Sequence, residues 1–217
     1  MIDFDLHVHS IYSKDSLSTI DRIIQRAELV GLSGIAICDH DTTQGAIAAI
    51  TRAKELKSVI QIIPGIEVST TQGHILVLGV TEDLPPKQTP QQTIKAAQKL
   101  DGVTIAAHPF KRITKNLGYV GDLDIDAIET LNSRCRFWCS NRKAKKMAEE
   151  LGKPQVGGSD AHVPEMVGRA YTRITSTKHR GVLEAIREGD TIPEGMPTPT
   201  RVILRQAYQG MRQKFLL

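Results

Sequence analysis

The sequence predicts an α/β fold, namely a distorted barrel of about seven strand–helix units with its active site at the carboxyl ends of the strands. Short apolar segments alternate with amphipathic stretches along the chain. The 217 residues are enough for one domain with a sizeable core, so residues 1–217 are predicted to form a single unit. Histidine and acidic side chains collect where the apolar segments end, which is where α/β barrels carry their chemistry.

The predicted elements follow the spacing of apolar residues and the turn signals between them. Strands are expected at residues 2–9, 32–39, 59–69, 74–80, 103–107, 124–131, 154–158 and 170–174. Helices are expected at residues 19–30, 44–56, 91–100, 140–151, 179–188 and 201–215. The turn at residues 71–73 predicts that the third and fourth strands form a hairpin, and the strands are otherwise expected to be largely parallel.

Composition and charge narrow the class of protein. Hydrophobic residues make up 40% of the chain and charged residues 24%, as is typical of a globular protein in water. No apolar run has the roughly 18–20 residues of a membrane span, and the first residues lack the features of a signal peptide, so a cytoplasmic location is expected. Cys38, Cys135 and Cys139 are predicted to be free thiols. The net charge of +4 suits an anionic substrate without requiring nucleic acid.

Six of the seven histidines lie at predicted strand ends, together with several carboxylates. Each motif has an ordinary structural explanation when it stands alone, such as a helix cap, a turn or a histidine that bonds the backbone. Glu67 is different, because a carboxylate among apolar neighbours needs a cation or hydrogen-bond donors. Taken together, the side chains predict a metal site. The candidate ligands are His7, His9, Asp15, His40, Glu67, His74, His108, Asp160 and His162.

The chemistry of these side chains indicates which ions they would hold. They offer nitrogen and oxygen but no thiolate, which favours manganese, zinc or iron. Nine candidates exceed the four or five protein ligands that one ion uses, so two or three divalent ions are expected. Neighbouring ions of this kind stabilise the attacking and leaving oxygens of phosphoryl transfer, and they activate water without a separate side-chain base.

Five motifs in a fixed order, HVHS, ICDHD, GIEVS, AHPF and GGSDAH, resemble the PHP (polymerase and histidinol phosphatase) family, and the likeness runs over roughly residues 1–175. The resemblance implies a distorted barrel with a trinuclear metal centre that hydrolyses phosphate esters through a metal-bridging hydroxide. It implies catalytic roles, acting through the metals, for Glu67, Asp160 and His108. By the same resemblance, the first ion would be held by His7, His9, Glu67 and Asp160, the second by Glu67, His74 and His108, and the third by Asp15, His40 and His162.

Asp15 lies about one residue farther from HVHS than in many members of the family, and Asp3, Asp5, Asp39 and Asp41 are its rivals; His74 is assigned because it follows Glu67 after a short hairpin. The substrate phosphate also needs cations beyond the metals. Arg134 is the first choice because it follows a predicted strand and an arginine can bind phosphate through two hydrogen bonds; Lys111 and Arg112 come next.

The sequence leaves the substrate open. A nucleotide or other small phosphomonoester is favoured over a nuclease substrate, a short DNA or RNA, because only 4% of the residues are aromatic. A non-catalytic metal-binding or interaction module is the third hypothesis. The helix at 201–215 is expected to cover the bottom of the barrel, to pair with another subunit or, less readily, to lie on a membrane surface.

Overall fold

The structure is a computed structural model that describes residues 2–111, 116–135, 138–176 and 178–215. Its strands are β1 (Ile2–Val8), β2 (Gly34–Ile37), β3 (Gln61–Ser69), β4 (His74–Leu78), β5 (Val103–Ala106), β6 (Ala127–Asn132), β7 (Gln155–Gly158), β8 (Ala170–Ile174) and β9 (Thr191–Gly195). Its α-helices are α1 (Ile20–Leu29), α2 (Gln44–Glu55), α3 (Pro90–Lys99), α4 (Trp138–Leu151), α5 (Val182–Glu188) and α6 (Thr200–Phe215).

All of these strands form one sheet in the order β7-β6-β5-β4-β3-β2-β1-β8-β9, and the sheet curls until β7 approaches β1 and β8. Gly157 N donates to Thr172 Oγ1 at 2.8 Å, and the Thr172 hydroxyl donates back to Gly157 O at 2.9 Å. A parallel bridge joins Val8 to Ala161 just beyond the end of β7. The predicted α/β barrel is confirmed as a nearly closed, barrel-like sheet.

Two glycines allow β7 to come this close. A Cβ on Gly157 would lie 2.6 Å from the carbonyl oxygen of Tyr171, and one on Gly158 would lie 2.5 Å from Cβ of His7. Real side chains do not tolerate such distances, so the Gly-Gly pair lets the backbones of β7, β8 and β1 touch. The motif GGSDAH therefore has a structural role as well as a chemical one.

The sheet is more mixed than the sequence predicts. The pairs β1–β2, β2–β3, β5–β6 and β6–β7 are parallel, whereas β3–β4, β4–β5, β1–β8 and β8–β9 are antiparallel. The expected hairpin of β3 and β4 is present, but β4 then pairs antiparallel with β5 as well. Strand β9 was not predicted, because it is short and contains Pro193, which a strand tolerates only at an edge.

Helix α6 lies elsewhere than the bottom of the barrel. Gln206 of α6 donates to the backbone oxygen of Asp15 at 3.0 Å, and Arg134 Nη2 donates to Gln206 Oε1 at 3.4 Å. These contacts put α6 beside the rim at the carboxyl ends of the strands, so the expectation that it covers the bottom was wrong.

An apolar cluster drawn from β1 through β7 fills the barrel, and Val182 and Ile186 of α5 pack into that cluster. Among the described residues, no helix combines the length and apolarity needed to cross a membrane.

Candidate metal centre

The fold brings the nine predicted ligands into one cluster at the carboxyl-end rim. They come from β1, β3, β4 and the segments that follow β1, β2, β5 and β7. Six are almost wholly buried: His7, His9, Glu67, His108, Asp160 and His162. The side chains of His40 and Asp15 are 27% and 49% exposed, and that of His74 is 19% exposed. The cluster therefore has a buried floor and a mouth that faces solvent.

Glu67 lies at the middle of the floor, and five imidazoles surround its carboxylate. One oxygen, Oε2, faces three of them and the other oxygen, Oε1, faces two. The distances are 3.4 Å to His7 Nε2, 3.2 Å to His9 Nε2, 3.2 Å to His40 Nδ1, 3.0 Å to His74 Nδ1 and 3.0 Å to His108 Nε2. Burial would raise the pKa of Glu67, but the neighbouring histidines outweigh it and the pKa lies well below the usual value. The carboxylate is therefore ionised and can bridge two cations.

The hydrogen bonds behind His7 and His9 aim both rings at one point. His7 Nδ1 donates to Glu129 Oε1 at 2.9 Å. The Ser13 hydroxyl donates its one proton to Asp39 Oδ1 at 2.8 Å. It must therefore accept the hydrogen bond from His9 Nδ1, which lies 3.1 Å away. The two Nε2 atoms then face each other at 3.0 Å, and a positive charge must lie between them, either a proton or a metal ion.

A divalent ion meets this geometry without rearrangement. With metal–nitrogen bonds of about 2.1 Å, two ligand nitrogens on one ion lie about 3.0–3.4 Å apart. His74 Nδ1 provides a second indication of a metal site. It lies 3.0 Å from Glu67 Oε1, yet the two atoms are not oriented to form a hydrogen bond. Both atoms instead face common space. The donor atoms within 4.8 Å of one another form four sets: His9, His40 and His162; His7, His108 and Asp160; His7, His9 and Glu67; and His40, Glu67 and His74.

Asp160 forms the second anionic position of the floor. Lys111 Nζ lies 2.7 Å from Oδ2, and Arg134 Nη1 lies 3.1 Å from Oδ1. Burial opposes ionisation of Asp160, but Lys111, Arg134 and the histidines hold its pKa well below the usual value. Asn132 Nδ2 also donates to Oδ2 at 3.3 Å, so this carboxylate is fixed from several sides.

Asp15 lies at the mouth, beside two histidines. Its Oδ2 is 3.0 Å from His162 Nε2 and 3.7 Å from His40 Nε2. Burial would raise the pKa of Asp15, but the hydrogen bond with His162 and the surrounding histidines outweigh it, and the pKa lies below its usual value. Burial itself, helped by the nearby charges of His9 and Arg134, lowers the pKa of His162 to about 3, which leaves that ring neutral and free to act as a ligand.

The four rivals of Asp15 bond elsewhere. Asp3 pairs with Arg173 at 2.8 Å, and Asp5 accepts from the backbone N–H groups of Ser159 and Gly168. Asp39 accepts from Ser10 and Ser13, and Asp41 accepts from the backbone of Ser69. These carboxylates hold neighbouring segments of the chain together, and none of the four belongs to the sets of donor atoms of the cluster.

Two residues of the cluster have strained backbones. His108 has φ of +30° and Asp160 has φ of +54°, a region that non-glycine residues rarely adopt. Such conformations cost of order 1–3 kcal/mol each and persist where the surroundings fix them, often at functional sites. Here the strain turns both side chains into the same cluster, which supports a functional role for their positions.

Sequence reasoning missed Glu129, which is 1% exposed in β6. It accepts from His7 Nδ1 and, at 2.7 Å, from the backbone N–H of His108, so one carboxylate orients two histidines. The signal was present, because Glu129 stands in the apolar run AIETL and the argument applied to Glu67 applies to it equally. Ser13 was missed too, and its sequence neighbourhood carries no such signal.

Glu129→Gln is expected to lower metal affinity about 10–100-fold while the protein still folds, since partners behind a ligating histidine contribute that much. Gln keeps the size but removes the charge that orients the His7 ring. Isothermal titration with Mn²⁺ or Zn²⁺ measures the effect, and Glu149→Gln on the exposed face of α4 is the control. Unchanged affinity would show that Glu129 serves packing alone.

The residues predicted to bind phosphate divide into two groups. Lys111 and Arg134 both reach the cluster, and their side chains are 18% and 17% exposed. Arg134 Nη1 also approaches the ring of His162 at 2.9 Å. Arg112 lies outside the described residues.

Cys38, Cys135 and Cys139 are free thiols, as predicted, and none of them contributes to the sets of donor atoms.

Comparison with known proteins places the chain in a family. The PHP domain matches residues 5–103, and the PHP-associated region matches residues 138–191. An uncharacterised protein of Methanocaldococcus jannaschii is 33% identical over 159 residues, which are 68% of this chain and 92% of that protein. A two-domain protein of Bacteroides vulgatus, described as containing a predicted PHP-like metal-dependent phosphoesterase, has a similar fold, with a TM-score of 0.73 at 18% identity over 90% of this chain and 65% of that chain.

Two enzymes with named activities match parts of the chain. A phosphoribosyl 1,2-cyclic phosphate 1,2-diphosphodiesterase of Eggerthella lenta is 39% identical over 87 residues, or 37% of this chain and 32% of that enzyme. A 5′-3′ exoribonuclease of Haemophilus influenzae is 36% identical over 106 residues, or 47% of this chain and 38% of that enzyme. The chain spans only about a third of each enzyme's length. The two family matches together cover most of the chain and agree with its fold, and the chain therefore belongs to the PHP domain family.

Proposed function

We propose that the chain hydrolyses phosphate esters at a centre of two or three divalent ions, either manganese, zinc or iron. The observation that carries this proposal is the Glu67 carboxylate with five imidazole nitrogens within 3.4 Å, beside a second ionised carboxylate, Asp160. The donor set is all nitrogen and oxygen, as such ions prefer. The residues that would hold the ions are His7, His9, Asp15, His40, Glu67, His74, His108, Asp160 and His162.

The chain's own residues divide the work of catalysis. When bound, the ions supply a nucleophile from water at neutral pH and neutralise charge on the phosphate. Glu67, Asp160 and His108 act through the ions by fixing their positions in the buried floor. Lys111 and Arg134 contact Asp160 directly, so their cationic groups lie where a phosphate oxygen would arrive. An arginine and a lysine so placed orient the ester and stabilise the charge that develops on it.

A nucleotide or another small phosphomonoester remains the first substrate hypothesis. Its support is the compact rim, where six of the nine proposed ligands are buried and two side-chain cations converge on one carboxylate. A short nucleic acid is the second hypothesis, and two observations favour it. One relative is an exoribonuclease. The other observation is a row of arginines on α6, beside the rim: Arg201, Arg205 and Arg212.

The test combines metal analysis with a substrate panel. The chain is loaded in turn with Mn²⁺, Zn²⁺ and Fe²⁺, its bound metal is quantified, and hydrolysis is measured on an aryl phosphate, nucleoside mono- and bisphosphates, histidinol phosphate and short 5′-phosphorylated oligonucleotides. We expect at least two ions per chain and metal-dependent release of phosphate or nucleotide. Asp160→Asn is the inactive control. If the wild-type protein binds no metal and cleaves no substrate with any of the three metals, the proposal is contradicted. The third hypothesis, a non-catalytic interaction module, would then be favoured.

A further inference from the structure

Six arginines form a basic surface on one side of the molecule, around the short turn of helix at Pro164–Met166. Three adjoining grooves of about 430, 510 and 300 Å³ run between α1, this turn and α6. Glu165 lines all three, and it is the one acidic side chain among their described lining residues. The arginine surface comprises Arg22, Arg26, Arg169, Arg201, Arg205 and Arg212. The whole chain has a net charge of only +4, so positive charge is concentrated here.

Most of these guanidinium groups lack a protein partner. Of these six arginines, only Arg205 forms an ion pair within the described part of the chain, with Glu165 at 2.8 Å, and both side chains are half exposed. The Nε atoms of Arg26 and Arg169 are buried without a hydrogen-bond acceptor. A buried charged donor without an acceptor is costly, and an anion in the groove between these two arginines would remove that cost. Apart from the Arg205–Glu165 pair, the described arginines of this surface are therefore available to bind an anion.

The arginine surface begins at the metal centre. Leu17 and Val163 line its first groove; Leu17 is two residues from the proposed ligand Asp15, and Val163 follows the proposed ligand His162. Leu17 N donates to the backbone oxygen of His162 at 2.9 Å. On α6, Gln206 bonds both Asp15 and Arg134, and it stands directly beside Arg205. The first groove therefore adjoins segments that carry two of the proposed ligands, so a long ligand with its phosphate at the centre would have the arginines beside it.

The length of the surface decides what kind of anion it suits. Arg201, Arg205 and Arg212 lie on one face of α6, and a rise of 1.5 Å per residue spreads them over about 16 Å. A single phosphate or a mononucleotide could meet only part of such a row. Tyr208 shares this face and is 57% exposed, which provides an aromatic ring on which a base can stack between the cations. Cations in a row with an exposed aromatic are typical of single-strand binding.

We infer that the arginine surface binds the backbone of a single nucleic-acid strand whose terminal phosphate ester enters the metal centre. The inference rests on the proposed function for the reaction but adds a second, independent binding region. It predicts that α6 controls affinity for long substrates and leaves the chemical step on a small ester unchanged. A second copy of the chain would instead use the exposed apolar side chains of α6, Leu204 and Met211.

The test is the triple variant Arg201→Gln, Arg205→Gln, Arg212→Gln in the full, metal-loaded chain. Binding of a fluorescent 12-nucleotide phosphorothioate single strand is followed by anisotropy at several salt concentrations, and hydrolysis of an aryl phosphate is measured in parallel. We expect affinity for the strand to fall at least about 20-fold and the slope of log K against log salt to become less negative by about 2, since each lost contact contributes about 0.7. The kcat/KM on the aryl phosphate should stay within about twofold.

A matched control separates a local effect from net charge. Lys143→Gln, Lys145→Gln, Lys146→Gln removes three exposed charges from α4 and should leave strand affinity nearly unchanged. Equal weakening in both triple variants, no strand binding by wild type, or dimerisation that is lost in the arginine variant without strand binding would each overturn the inference. Arginine-dependent strand binding in a protein that hydrolyses no ester would instead leave the inference standing and refute the proposed function. Thermal unfolding confirms that both variants fold.

Discussion

Glu67→Gln is expected to remove at least one bound ion and to lower hydrolysis more than about 100-fold. Loss of a partner behind a ligand already costs about 10–100-fold, and Glu67 contacts five imidazoles itself. The amide keeps the shape of the side chain but loses its charge and turns N–H bonds towards ligand nitrogens that must offer lone pairs. No rotation of the amide avoids this, because histidines face both carboxylate oxygens of Glu67.

Metal analysis and the aryl-phosphate assay together measure this effect. Glu82→Gln, an exposed change of the same chemistry, is the control and should behave as wild type. Because the amide is isosteric, the variant should fold, and its circular dichroism spectrum tests that. Full metal content with full activity in Glu67→Gln would remove Glu67 from the centre and with it the main support for the proposed function.

Gly158→Ala is expected to destabilise the fold and to disturb the metal centre at the same time. The new Cβ would lie 2.5 Å from Cβ of His7 and 2.9 Å from Glu129 Oε1, so β7 would have to move away from β1. Overpacking of this kind costs about 1–3 kcal/mol. At the upper end of that range, the melting temperature of a chain of this size falls by about 6–12 °C. His7 would lose its alignment, so metal affinity should fall as well.

Thermal unfolding monitored by circular dichroism, with and without metal, tests this second prediction. Gly210→Ala in α6 is the matched control, because a Cβ there meets nothing within 4 Å and alanine favours a helix interior. The control should therefore raise stability slightly, whereas Gly158→Ala should lower it. Equal melting temperatures for wild type and Gly158→Ala would mean that β7 is not tightly packed against β1.

Local patterns were enough to find most of the site. Predicted strand ends located His7, His40, His108 and Asp160 because strand length and alternation are encoded within a few residues. The carboxylate argument located Glu67 for the same reason, since the cost of an unpaired buried charge depends on its immediate apolar neighbours. The strand–helix alternation likewise predicted a barrel.

Other features depended on contacts between distant segments. Spacing alone left Asp15 with four rivals, and the resemblance selected it; its place in the cluster depends on the approach of residue 162 to the β1–α1 loop. Glu129 orients His7 from a position 122 residues away in the chain. Strand β9 is fixed by its pairing with β8, which overrides the low strand propensity of a segment that contains proline.

The sequence by itself determined the barrel class and the kinds of donor atom at the strand ends, and hence the proposed metal-dependent chemistry, because each of these follows from residue type and short-range periodicity. Only the tertiary structure decided how the ligands share Glu67, which carboxylates stand behind them, and that α6 lies at the rim with its arginines beside the centre. Those features depend on closure of the sheet between β7 and β1, which brings together residues that are far apart in the chain.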